Sequence, residues 1–439
     1  MTSFLKNFLD TAKRSLWLIP FMMAICGLIL SVVFNQLDFL LRETRSPFYI
    51  GMGHVDVEGV RELFSNISGS LITVMTTILA ITLLIFTVLA GQFGAYILRV
   101  FKVKTFSKFI LGWFAGTYIY IIYNIYVMST SGDDFDVPKI SIVIGVLLTV
   151  ITIFLILLYI HFLVRQIQAS TVISEISEEL NRSIRSLQNA DEEVQIQAKF
   201  STEKLADSAL RVKVQSPGYI QNVDKDSLAK IAKKNNCVIK ILYRAGEFIT
   251  TGSCGLIVYS NENLDKDLIS DMGDCFITGE KRIPIEDIEC NLNLLLEIAL
   301  RGLSPGINDL MIANNCIDYI AESVALLLPK KFPENKVYSE DGKLLLISKE
   351  FTIKGYFEAA FNMLRQYGYS HCSVTLRIMD RYISLVQLTE KEEYKLLIAE
   401  HFNAIFESAI DVHQQSIDQL SLYERKKVFQ SFIEETSLS

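Results

Sequence analysis

The chain has 439 residues, half of them hydrophobic, with a formal net charge of −7. Its apolar residues crowd ahead of Arg165, a split that excludes a soluble protein of two or three ordinary domains. Through Val164 there are 11 Lys/Arg and 9 Asp/Glu, which leaves 31 and 40 beyond it; so acidic a remainder excludes nucleic acid as the natural partner.

Four stretches are long enough to cross a hydrocarbon core, which takes roughly 20 helical residues. They are Leu16–Phe34, Leu71–Leu98, Phe109–Met128 and Ile140–Leu163, and they predict a four-helix transmembrane domain over 1–164. The first has a basic lead-in but no small-x-small pattern after it, so it reads as an uncleaved anchor. Lys6, Lys13 and Arg14 precede the first span, and Arg99, Lys102, Lys104 and Lys108 lie between the second and third. Arg165 follows the fourth, whereas Asp133, Asp134 and Asp136 fall on the opposite side. Positive-inside counting therefore places both chain ends in the cytoplasm, in a bacterial inner membrane.

The second span carries a stripe of small and hydroxyl-bearing residues: Ser70, Thr73, Thr77, Ala80, Thr87, Gly91 and Gly94, interrupted at Leu84. Two readings stay open. Small residues let helices approach closely in lipid, or the face lines a pore with Gln92 and Arg99 at its cytoplasmic mouth. No acidic residue is expected deep inside a span, which argues against a carrier coupled to protons or cations. Asn124 and the tyrosines at 118, 120, 123 and 126 read as an interfacial aromatic belt. His161, at the inner end of the fourth span, reads as a packed or snorkelling side chain.

Beyond Arg165 the pattern predicts an amphipathic helical connector over 165–205. Ile173, Ile176, Leu180, Ile184 and Leu187 form its stripe, to be buried on another copy or on its own domain. Residues 206–285 read as a small barrel-like β module with short helices. Val212–Val214, the Ser216-Pro217-Gly218 turn, Cys237–Tyr243 and Leu256–Tyr259 supply its strands and turns. Residues 286–439 read as a mostly helical cytosolic domain with one hairpin at Asp341-Gly342. Its helices are expected near 289–302, 309–328, 350–367, 372–387, 390–412 and 415–435. In the turn after the first of them, Arg301, Ser304, Asn308 and Asp309 form either a helix–turn–helix connection or a ligand or subunit-binding cluster.

The seven cysteines stand singly, with no C-x-x-C pair, so neither a metal nor a cofactor is implied. No P-loop, H-E-x-x-H or G-x-S-x-G motif occurs, which leaves an enzyme without a catalytic set.

Two resemblances add to this. Pro217-Gly218-Tyr219-Ile220 with Gly246-Glu247-Phe248-Ile249 and Gly252 resembles the half-barrels of lipoyl/biotinyl-like and efflux-adaptor domains. Their modified lysine has no counterpart, since Lys225 precedes a helix. More extensive is the succession of Ser15–Pro20, Gln92-Phe93-Gly94 with Arg99, Leu111–Phe114, His161-Phe162, Gln166–Gln168 and Gly218–Gln221, closing on Ala299-Leu300-Arg301-Gly302-Leu303-Ser304-Pro305-Gly306-Ile307-Asn308-Asp309. This order is similar to the bacterial membrane proteins grouped as domain of unknown function 2254. Two places depart from that pattern: Leu310 stands where the family typically has Pro, and Gly94-Ala95-Tyr96 replaces a more polar stretch. The resemblance implies a multi-pass bacterial membrane protein and no particular chemistry. The combined expectation is a homo-oligomeric, channel-like protein gated by its cytosolic domain. The alternative is a membrane-anchored sensor or scaffold whose cytosolic domain binds a ligand or protein.

Overall fold

The computed structural model describes residues 18–44, 56–94, 105–130, 138–166, 169–187, 209–261, 264–284 and 287–434. The chain forms two compact units, Met1–Gln168 and Ala169–Ser439.

The first unit holds α1 (Leu18–Glu43), α2 (Val57–Phe93), α3 (Thr105–Thr130) and α4 (Lys139–Gln166). Each expected span is helical over most of its described residues, α2 ending at Phe93, and hydropathy understates α1 at its C-terminal end and α2 at its N-terminal end. The reason is capping and packing beyond the apolar run. Asp56 accepts the N–H groups of Glu58 and Gly59, so α2 starts well ahead of Leu71 and reaches 37 residues. That is about 55 Å at 1.5 Å per residue, more than a hydrocarbon core of roughly 30 Å. α1 likewise continues past Phe34, which brings Asp38 into a helix.

α1 and α3 approach at glycine. A Cβ on Gly27 would lie 2.2 Å from the Gly116 carbonyl oxygen, and one on Gly116 2.8 Å from that of Met23. Gly112 meets Met23 in the same way, so Gly112-x-x-x-Gly116 presents one small-residue face to α1. Gly145 of α4 leaves room for the Phe64 ring of α2. These contacts set the unit's core, in which Phe64, Phe114, Tyr120 and Ile121 are fully buried.

The second unit starts with α5 (Ala169–Arg185). Its stripe Ile173, Ile176, Leu180 and Ile184 is buried, and α5 packs on α8 (Glu289–Gly302) and α9 (Leu310–Leu327). The connector's apolar face is thus covered within its own unit. Between α5 and α8 come β1 (Ala209–Lys213), β2 (Gly218–Val223), α6 (Lys225–Lys234), β3 (Val238–Ile241), β4 (Phe248–Ile249), β5 (Cys254–Tyr259), α7 (Lys266–Asp274) and β6 (Phe276–Gly279). After α9 follow β7 (Lys336–Tyr338), β8 (Leu344–Ile347), α10 (Ile353–Gly368), α11 (Cys372–Gln387), α12 (Glu392–Ile410) and α13 (Ser416–Glu434).

The strands make two sheets, ordered β1-β5-β3-β8-β7 and β4-β2-β6, where the sequence suggests one small barrel. The β7–β8 hairpin turns at Gly342 as expected, but it belongs to the β module. β8 pairs in parallel with β3, Ile239 opposite Leu346, and Leu346 enters the same core as Val212 and Leu256. Pairing across that distance leaves no local trace in a sequence. The remaining helices form a bundle around Phe357, Phe361 and Tyr382, whose rings pack 4.8–5.6 Å apart.

Candidate functional site

Among the described residues the stripe of α2 is open from Ser70 to Gly91, whereas Gly94 is buried at the helix's C-cap. Ser70, Thr73, Thr77, Ala80, Leu84, Thr87 and Gly91 are all exposed, and a Cβ on Gly91 would meet nothing within 4 Å. Each hydroxyl is satisfied by its own helix: Thr73 donates to Gly69, Thr77 to Thr73 and Thr87 to Leu83, all at 2.9 Å. This back-bonding makes the face compatible with lipid, a second copy or water. Close packing inside the chain does not account for the stripe. Beside it, Thr73, Thr77, Ile78, Ile85, Ile156 and Tyr159 border a groove of about 330 Å³ between α2 and α4. Gln92 lies in the last turn of α2, and Arg99 falls outside the described residues.

A buried polar network joins α1, α3 and α4. Asp38, 3 % exposed, accepts the Ile140 and Ser141 N–H groups at 2.9 Å and the Ser141 hydroxyl at 2.8 Å. It caps the positive end of α4 from a neighbouring helix. Asn124 donates to the Ser31 hydroxyl and accepts from Asn35, and Tyr120 donates to the Ser141 carbonyl. One expectation is refined and one corrected here. Asp38 falls in the last turn of the Leu18–Leu41 span, because α1 outruns its apolar stretch, and it is not deep inside it. Tyr120 and Asn124 are buried partners rather than an interfacial belt, while Tyr126 alone of the four tyrosines is exposed. Asp38 has donors on both oxygens, so it holds α1 to the start of α4. His161 is exposed.

The Arg301–Asp309 segment is a compact connection between α8 and α9. Arg301 reaches back to Glu297, Ser304 donates to the Arg301 carbonyl at 2.6 Å, and the Asp309 N–H bonds the Gly302 carbonyl at 2.8 Å. Asp309 then caps α9 through the Met311 and Ile312 N–H groups. Gly302 is needed for close approach: a Cβ there would lie 2.8 Å from the Asp309 carbonyl oxygen. The left-handed residue of the turn is Asn308, at φ 47°. Arg301, Ser304 and Asp309 thus bond within their own turn and its flanking helices, while Asn308 is exposed.

The segment in which this turn falls is also what relates the chain to others. A family model described as "Predicted membrane protein (DUF2254)" matches residues 13–382. The chain belongs to this family. It is 22 % identical, over 372 residues, to uncharacterized proteins of Mycobacterium bovis and of Mycobacterium tuberculosis, covering 83 % of this chain and 70 % of theirs. No solved structure matches it.

Against the DUF2254 pattern, Leu310 now has a place: it is the first residue of α9, directly after the Asp309 cap. Proline suits that position, since its fixed φ is helical and its missing N–H has no partner in a helix's first turn. Leu310→Pro is therefore expected to raise stability by about 0.5 kcal/mol. A thermal midpoint that falls instead would show that this turn needs the leucine side chain.

Among the described residues one group has metal-ligand chemistry: Cys372, His413 and Asp418, with ligand atoms within 4.8 Å of one another. His413 Nε2 is engaged with the Tyr369 carbonyl at 2.9 Å. Burial and then Asp418 push the Cys372 thiol up to about 11, so it stays protonated at neutral pH, bonded to that carboxylate. A metal there would have to displace this proton. The thiol–carboxylate pair explains the cluster without one.

Proposed function

We propose that this DUF2254 protein is a multi-pass inner-membrane protein whose copies associate through the open face of α2 to enclose a flux path. Its soluble unit acts as the gate, and both chain ends are cytoplasmic. The observation that carries the reading is that open face: hydroxyl and glycine positions for which the described residues supply no packing partner. A helix meant only for lipid gains nothing from such residues, whereas a second copy or a water column does. The rest of the membrane unit argues for several copies. α1 and α3 are held by glycine contact, and α1, α3 and α4 by the Asp38 and Asn124 hydrogen bonds, so the polar groups between these helices bind them to one another.

Five described helices are long and apolar enough to span. Our reading uses four. α9 packs on α5, α8, α10 and α11, and its Asp318 pairs with Arg377 at 3.0 Å. Lipid would strip α9 of these partners, so it serves as a core helix of the soluble unit.

The test is ion flux through the purified protein in liposomes. Thr77→Leu, which lengthens an exposed side chain on α2, is expected to lower flux at least tenfold while leaving the thermal midpoint within a degree or two. Wild-type flux in Thr77→Leu would remove α2 from the path. Absence of flux in the wild type under ionic, pH and osmotic gradients would favour the anchored-sensor reading. That reading draws on the soluble unit, which is larger than an anchor or a simple plug requires.

A further inference from the structure

The soluble unit contains a cavity of about 320 Å³ that the α2 reading does not use. It lies where the end of α5, the ends of β2 and β3 and the segment after β8 meet. Its size falls in the range of small-molecule sites, roughly 300–1,000 Å³.

Its wall has two chemically different parts. One is cationic: Lys225, Arg244 and Lys349 line it, opposed in the lining by Glu350 alone. Each cation is held from the side by a carboxylate. Lys225 pairs with Glu350, Arg244 with Glu289 at 2.7 Å, and Lys349 with Glu247 at 2.6 Å. One such pair occupies a single donor of an ammonium that has three, or of a guanidinium that has five. The pairs fix the side chains and leave donors over. The other part is apolar and flat, with Tyr243, Phe351, Ile241 and Pro333.

One helix start adds to the cationic part. Ile288 is the N-cap of α8, with no side-chain oxygen to satisfy that end, whereas Asp224 and Thr352 already cap α6 and α10. A helix N-terminus without a side-chain cap carries partial positive charge and N–H groups, which suit phosphate oxygens. A separate observation falls on the same wall. Ser348 lines the cavity at 5 % exposure, and its buried hydroxyl has no hydrogen-bond partner. A buried hydroxyl without a partner costs about 1–3 kcal/mol, and an acceptor oxygen in the cavity would relieve it.

We propose that this cavity binds a phosphorylated small molecule of nucleotide size, its phosphate held by Lys225, Arg244, Lys349 and Ser348. The flat apolar portion of the ligand lies against Tyr243 and Phe351. A carboxylate would leave donors unused; a phosphate offers more acceptor oxygens to the donors that the three ion pairs leave over. The inference is independent of whether the membrane half conducts, because its readout is binding.

The experiment is calorimetric titration of the full-length protein in detergent with the four nucleoside 5′-monophosphates and with inorganic phosphate. At least one nucleotide is expected to bind ten or more times more tightly than phosphate. Lys349→Gln is expected to weaken that binding about tenfold and Ser348→Ala several-fold. Without ligand, Lys349→Gln should keep the wild-type thermal midpoint, since its side chain is half exposed, and Ser348→Ala should keep or raise it, since it removes a buried hydroxyl that makes no bond. If no nucleotide binds at millimolar concentration, the proposal fails. It fails too if phosphate matches the nucleotides, which would leave the apolar wall without a role. Undiminished binding in the Ser348→Ala, Lys349→Gln double variant would place the ligand elsewhere.

Discussion

Gly27→Ala is expected to destabilise the membrane unit by about 3 kcal/mol, although it adds a single methyl group. The new Cβ would sit 2.2 Å from the Gly116 carbonyl oxygen, a backbone atom of the facing helix, so no side chain can turn aside to admit it. The two helices would have to separate. Their separation would also loosen the Ser31 to Asn124 bond at 2.8 Å, one helical turn further along. The companion substitution is Gly91→Ala on α2, where nothing lies within 4 Å. There alanine is expected to be neutral or to stabilise by up to about 1 kcal/mol, because it restricts the chain less than glycine and suits a helix. Denaturant titration of both variants in one detergent, read by tryptophan fluorescence, measures the contrast. Equal midpoints would show that α1 and α3 do not approach at Gly27. A large loss in Gly91→Ala would show that a second copy packs on that glycine.

Asp38→Ala is the second large effect, again about 3 kcal/mol. The carboxylate satisfies two backbone N–H groups and one hydroxyl at the start of α4, in a site that water does not reach. Removing it orphans all three and withdraws a negative charge from the positive end of a helix. Asp38→Asn keeps one acceptor oxygen and adds donors with nowhere to go, so it should fall between alanine and the wild type. The same titration reads the series, and liposome flux adds a functional check. If Asp38→Asn kept full stability yet abolished flux, the carboxylate would belong to the conduction path and not to the scaffold.

These two residues also show where a sequence reading runs out. Asp38 falls outside the expected Leu16–Phe34 span because hydropathy drops after Phe34, and hydropathy does not register a helix that continues on packing. The glycine contact had a local signal, the Gly112-x-x-x-Gly116 spacing, but Gly27 lies far from it in the chain. The hairpin at β7–β8 was legible, whereas its membership in the β sheet depends on parallel pairing with β3, set by tertiary packing alone. For the sites the division is similar. The α2 stripe could be read from helical periodicity, but its openness could not, since exposure depends on what the other three helices cover. The turn at Arg301–Asp309 was visible as unusual sequence. Its atoms proved to be spent on hydrogen bonds within the turn and its neighbouring helices.

The nucleotide-sized cavity left no mark in the sequence at all. Lys225, Arg244, Lys349 and Ser348 are spread over more than a hundred residues and meet only after α5, β3 and β8 are in place. By itself the sequence determined the membrane character, the helices and most strands, because hydropathy, period and capping act over a few turns of chain. Tertiary structure alone decided which polar groups are buried together and which faces stay open. Those outcomes depend on distances between segments, and no local pattern encodes them.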